Sequence, residues 1–209
     1  MLTGRWISVV AEGEASVAPD MAVVSFSVSG DGKELAATRT DVNTRSSAVL
    51  AKLRELEIAD ADLNAPDVDI HPQYDYRKGQ RLIGYRVVRN MTARVRDLDR
   101  LGDVLDGIVG AGANEVHGAE MTASDPSAAE HEALRSAVAA ASAKAEAIAD
   151  AGGVKLGAVA RLEEEPDRGG PPMPKMRMMA MAEAADAPTE VAAGDLTVTR
   201  RIRAWFAVS

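Results

Sequence analysis

Between residues 20 and 123 the spacing of apolar side chains switches twice from every second residue to every third or fourth and back, and few folds accommodate that order of periods. Ala22, Val24, Phe26 and Val28 alternate with Val23, Ser25, Ser27 and Ser29, with Pro19 before them and Gly30-Asp31-Gly32 after, which predicts a strand over 20–30 with one buried face. From about Lys33 to Ile58, Val42, Val49, Leu53 and Leu56 fall near one helical face, the pattern of an amphipathic helix. Val68, Ile70, Tyr74 and Tyr76 then share strand parity, Arg77-Lys78-Gly79-Gln80 forms a turn, and Ile83, Tyr85, Val87, Met91, Ala93 and Val95 resume the alternation, giving a long hairpin. Asp97 can cap a second helix carrying Leu98, Leu101, Leu105 and Ile108, which Gly110-Ala111-Gly112 ends, and residues 114–123 read as a further strand. The order β-α-β-β-α-β is the split arrangement of a ferredoxin-like core, and it predicts an α+β protein with both helices on one sheet face.

Beyond residue 123 the chain extends that core. Ser124-Asp125-Pro126 opens a long Ala-rich helix with Leu134, Val138, Ala141, Ala145 and Ile148 on one stripe, ending at Gly152-Gly153. A strand is expected near 156–162. Residues 163–194 break every periodicity with Pro166, Pro171, Pro172, Pro174, Pro188 and a methionine cluster, and are expected to form a flexible excursion within a single domain spanning 1–209. Alternating residues from Leu196 to Val208 predict a last strand, and Trp6 to Ala11 predict an N-terminal one; both are expected to extend the sheet.

At 209 residues the chain is long enough to fold without staples, and with aromatics at only 3% its core must be built from Val, Leu, Ile and Ala. The absence of cysteine removes disulfides, thiolate metal sites and a cysteine nucleophile. A net charge of -8 argues against a nucleic-acid partner, because phosphate contacts need a positive face. No stretch reaches the roughly 18 apolar residues of a membrane span. The N-terminal residues have neither a basic n-region nor an apolar run, so the chain as written reads as cytoplasmic, or as exported if a signal segment precedes it.

No catalytic or cofactor constellation emerges. His71, His117 and His131 fall on three different predicted elements, and His131-Glu132 lacks the histidine a zinc-protease helix needs, since residue 135 is Arg. Gly110-Ala111-Gly112 follows a helix instead of a strand and fails as a dinucleotide fingerprint. The pairs Asp67/Asp69 and Asp103/Asp106 read as solvated faces. Arg94, Arg96, Arg200, Arg201 and Arg203 could line a basic strip, but with carboxylates in excess they are expected to pair across strands or subunits. Met173, Met176, Met178, Met179 and Met181 could offer soft thioethers to Cu(I), although Lys175 and Arg177 would repel a cation and methionines also serve adaptable interfaces. Tyr74, Tyr76 and Tyr85 are expected around one hairpin, where they would serve either an interface or packing on the chain's own helix.

Several stretches together resemble the SIMPL-domain family. They are Val10-Ala-Glu-Gly-Glu-Ala-Ser-Val-Ala-Pro-Asp-Met-Ala22, His71-Pro-Gln-Tyr-Asp-Tyr76, Gly84-Tyr85-Arg86, Val95-Arg96-Asp97-Leu98-Asp99, Ala111-Gly-Ala-Asn114, Ser124-Asp125-Pro126-Ser127, Lys144-Ala-Glu-Ala147, Gly153-Val-Lys-Leu-Gly157 and Leu196-Thr-Val-Thr199. The resemblance covers nearly the whole chain. It implies kinship with a kinase-associated signalling protein and with bacterial periplasmic immunogenic and stress-linked proteins, some similar to ring- or channel-like oligomers. It brings no catalytic residues. The expectation is therefore a non-enzymatic structural or interaction protein that works as a homo-oligomer; the alternative is a metal- or ligand-handling stress protein using the Met-rich arm.

Overall fold

The computed structural model of the chain describes residues 4–66, 68–77, 79–166, 173–174 and 194–209. Along the chain the strands are β1 (Trp6–Val17), β2 (Met21–Gly32), β3 (Leu63–Asn64), β4 (Asp69–Asp75), β5 (Arg81–Val95), β6 (Glu115–Thr122), β7 (Leu156–Glu164), β8 (Met173–Pro174) and β9 (Leu196–Val208); the helices are α1 (Leu35–Glu55), α2 (Leu101–Gly110) and α3 (Ser127–Ala151). The protein is α+β, and the chain divides into two compact units: Asp20–Thr122, and the segments on either side of it.

In the Asp20–Thr122 unit an antiparallel sheet runs β3-β5-β2-β6, with β4 also pairing with β5. Strand parity puts Ala22, Val24, Phe26 and Val28 of β2 on one face, opposite Val95, Ala93, Met91 and Arg89 of β5. That face is covered from α1 by Val42, Val49 and Leu53 and from α2 by Leu101, Val104 and Ile108, all of them buried. Each large aliphatic or aromatic group removed from water there stabilises the unit by about 1.5–3 kcal/mol. The α2 segment starts as a 3-10 turn, Leu98–Arg100, because the Asp97 carboxylate accepts the Asp99 N–H. It ends where Gly112, at φ +120, donates its N–H to the Val109 carbonyl, so the Gly110-Ala111-Gly112 stretch is a helix C-terminus.

The other unit corrects the expectation that the terminal strands extend this sheet. β1 and β9 pair with each other along their lengths, from Trp6 opposite Ala207 to Val17 opposite Leu196, and β7 joins the other side of β9, so they build a second sheet. Helix α3 lies across β1 and β9 through Ala133, Ala137, Ala141 and Ala145, all buried, while Ile148 stays exposed. Of the expected stripe, Ala141 and Ala145 are buried and Leu134 and Val138 pack half-buried against the same cluster, while the deepest positions also include Ala133 and Ala137, because the helix sits directly on the backbone of β1. A Cβ at Gly13 would stand 2.2 Å from the Ala137 nitrogen. The Asp125 carboxylate accepts both the Ser127 N–H and its hydroxyl at the start of α3, which holds that carboxyl below its usual range.

The segment expected to be aperiodic from 163 begins later than the sequence suggests. Glu163 and Glu164 continue β7 opposite Arg203 and Ile202, and Met173 and Pro174 pair with Thr197 and Leu196. The remaining methionines of that stretch lie outside the described residues. No helix among the described residues is long and apolar enough to cross a membrane.

Candidate interaction surface

The β4–β5 hairpin is long because β5 keeps strand-forming residues well beyond the last residue that β2 can pair, where Gly32 stands opposite Tyr85. Past that point Arg81–Gly84 pair only with Gln73–Asp75, so the end of the hairpin is a free two-stranded ribbon. Pro72 fits there because β4 is an edge strand that can do without one N–H. Gly84 is required by its neighbour, since a Cβ would lie 2.8 Å from the Gly32 carbonyl oxygen. A bulge between Gln73 and Tyr74 shifts the register and sets Tyr74 opposite Leu82.

The ribbon displays apolar groups to solvent. Tyr76 is 72% exposed and Ile83 50%, and Ile70, Tyr74 and Leu82 are exposed beside them. The Tyr74 and Tyr76 rings lie 6.3 Å apart at a tilted angle, within the range of favourable aromatic pairing. Tyr85 does not join them. It sits opposite Pro72 and Gly32, further into the sheet, so the three tyrosines lie around one hairpin as expected while the ring pair is that of Tyr74 and Tyr76. The tip is also basic: Arg77, whose N–H is held by the Asp75 carboxylate at 2.8 Å, and Arg81 make no side-chain ion pair with a described residue.

At the root of the hairpin is a polar network that the sequence did not single out. Arg86 donates to Glu115 at 3.0 Å, and the same carboxylate accepts from Ser29 at 3.3 Å and Ser27 at 3.5 Å. Asn114 takes the Ser29 N–H at 2.7 Å, and Gln73 donates to Asp31 at 2.7 Å. Ser27 and Ser29 are therefore buried although they lie on the sheet face away from α1 and α2. Glu115 thereby ties β6 to β2 and β5 at the root of the ribbon.

Elsewhere the candidates separate. His71 lies on β4, His117 on β6 and His131 on α3. Arg94 and Arg96 belong to one unit and Arg200, Arg201 and Arg203 to the other, and four of the five are paired. Arg96 forks onto Asp62 with two 2.7 Å contacts, holding that buried carboxyl below its usual range. Arg200 meets Glu130, and Arg201 and Arg203 meet Glu165 at 3.1 and 2.6 Å. Asp103 and Asp106 are exposed on α2, and Asp67 lies outside the described residues. The Asp62–Arg96 fork went unseen in the sequence because the two residues are far apart along the chain and neither stands in a motif.

The chain is similar to the 26 kDa periplasmic immunogenic protein of Brucella abortus (strain S19), at 34% identity over 214 residues, covering 97% of this chain and 84% of that one. It is 33% identical over 182 residues to the uncharacterized protein YggE of Edwardsiella ictaluri (strain 93-146), covering 85% and 76%. With the YggE of Escherichia coli (strain K12) it shares 31% over 154 residues, covering 72% and 63%. Residues 7–206 match the family model described as SIMPL, protein of unknown function (DUF541), and the chain belongs to that family.

Proposed function

We propose that this chain is a non-enzymatic interaction protein that works as a homo-oligomeric assembly in the periplasm, with both compact units forming one family domain. The observation that carries the reading is the free end of the β4–β5 hairpin, where four large apolar side chains, Tyr74, Tyr76, Leu82 and Ile83, are exposed on a two-stranded ribbon. Large apolar side chains exposed on both faces of a two-stranded ribbon are unfavourable in water, and burying them against another protein surface removes that penalty. Periplasmic placement is supported by the name of the Brucella relative. A link to stress response rests on the family resemblance.

The test is light scattering coupled to size exclusion for the full chain and for Tyr76→Ser with Ile83→Ser. The wild type is expected to run as a multiple of 22.0 kDa, and the double variant as a smaller particle with an unchanged fold. A double variant that keeps the wild-type mass would remove the ribbon from the interface.

A further inference from the structure

We infer that the basic, aromatic end of the β4–β5 ribbon of one copy lies along the outer face of α2 of a second copy. This rests on the assembly reading above and names the surface that the ribbon meets. Charge selects it. Arg77 and Arg81 stand at the ribbon tip without ion pairs to described residues, on a chain whose net charge is -8. Among the three α-helices of the described residues, α1 and α3 present exposed cations to solvent, such as Arg39, Arg54 and Arg135, whereas the α2 sequence Leu-Gly-Asp-Val-Leu-Asp-Gly-Ile-Val-Gly contains none. Asp103 and Asp106 lie three residues apart on its exposed side, and Asp99 precedes them by one turn; none of the three carboxylates is in an ion pair with a described residue.

The same face has an apolar and a steric side. Val109 is 57% exposed there. Gly102 and Gly110 lie beside it with nothing within 4 Å of where a Cβ would stand. Gly107, by contrast, faces α1, where a Cβ would come within 2.7 Å of Leu56 Cδ1. A glycine inside a helix is destabilising relative to alanine, and packing within the chain accounts for Gly107 but not for Gly102. A bare helix face lets a flat ribbon approach the backbone closely, which is the use this arrangement gives to Gly102. The lengths agree as well: ten residues of α2 span about 15 Å, and the four residues Arg81–Gly84 span about 13 Å. Tyr76 and Leu82 would cover Val109 while Arg77 and Arg81 meet Asp103 and Asp106. Because ribbon and helix are different surfaces, the contact is head to tail and can be repeated from copy to copy.

The experiment uses two full-length variants, Arg77→Glu with Arg81→Glu, and Asp103→Lys with Asp106→Lys, run alone and mixed one to one. Alone, each sets like charges against each other and is expected to weaken assembly about tenfold or more, seen as a loss of mass at a fixed concentration. Mixed, every tip finds a helix of opposite charge, and the mass is expected to return to the wild-type value. Gly102→Tyr provides a variant whose side chain enters open space in its own copy; it is expected to lower the mass and leave the far-ultraviolet circular dichroism spectrum of the folded chain unchanged. If the charge variants keep the wild-type mass, or the mixture fails to recover it, this inference falls while the assembly reading stands. A wild type that runs as one chain at every concentration sinks both. Phosphatidylglycerol vesicles complete the set: wild-type binding that is lost in Arg77→Glu with Arg81→Glu, with mass unchanged in all variants, would assign the ribbon to an anionic lipid surface and overturn the proposal.

Discussion

Replacing Gly13 by alanine tests how closely α3 sits on the second sheet. The added methyl carbon would stand 2.2 Å from the Ala137 nitrogen and 2.3 Å from the Ala133 carbonyl oxygen, both backbone atoms of α3 that cannot swing aside. Ordinary van der Waals contact begins near 3.4 Å, so going from 2.2 to 3.4 Å requires the helix to lift by about 1.2 Å. A lift of that size loosens the whole alanine seam, Ala133, Ala137, Ala141 and Ala145, because a gap of 0.5–1 Å forfeits roughly a quarter to a half of each contact's attraction. Overpacking typically costs about 1–3 kcal/mol, and with backbone on both sides of the clash the upper end applies, about 3 kcal/mol. For a chain of this size that lowers the thermal midpoint by about 6–12 °C. Circular dichroism melts at one fixed protein concentration measure it, since any assembly makes the midpoint concentration-dependent. A Gly13→Ala protein within about 1 kcal/mol of the wild type would refute the close seating of α3.

Arg96→Ala leaves the buried Asp62 carboxylate without its fork and is expected to lower stability in urea unfolding at pH 7. The native Asp62 carboxyl is depressed by Arg96, so its contribution is present above the ordinary carboxylate range and is lost as pH falls through the lower native value. Asp62→Asn should therefore flatten the acid limb of the stability curve, and an unchanged limb would contradict the pairing. Phe26→Ala, at the centre of the Asp20–Thr122 core, is expected to lose about 3–5 kcal/mol by the same unfolding measurement. Tyr76→Ser should alter stability by no more than about 0.5 kcal/mol while lowering particle mass, since its ring is exposed; a large loss of stability would mean that the ring packs within its own chain.

Strand and helix positions were legible wherever a single period ran uninterrupted. β9 spans Leu196–Val208 as its alternation predicts, and α1 buries Val42, Val49 and Leu53 as its helical spacing requires. Partnership was not legible. Nothing in the alternation of β1 says that its neighbour is β9 and not β2, because period-two patterns specify a face and leave the partner open. The α3 stripe was legible at Ala141 and Ala145 but not at Ala133 and Ala137, nor in the exposure of Ile148, because the seating on Gly13 selects small residues and depends on a contact distant in sequence. At the hairpin, the tyrosines could be found from parity, but the bulge at Gln73 and the exposure of Leu82 and Ile83 depend on where β2 stops pairing. The Glu115 network was hidden because its donors come from separate strands.

The native mass of the full chain, measured by light scattering across a range of micromolar concentrations, bears most directly on the claim that this protein works as an assembly through its β4–β5 ribbon. The particle is expected to be a multiple of 22.0 kDa and to shrink when Tyr76 and Ile83 are both replaced by serine. A wild-type mass of 22.0 kDa at every concentration would contradict it.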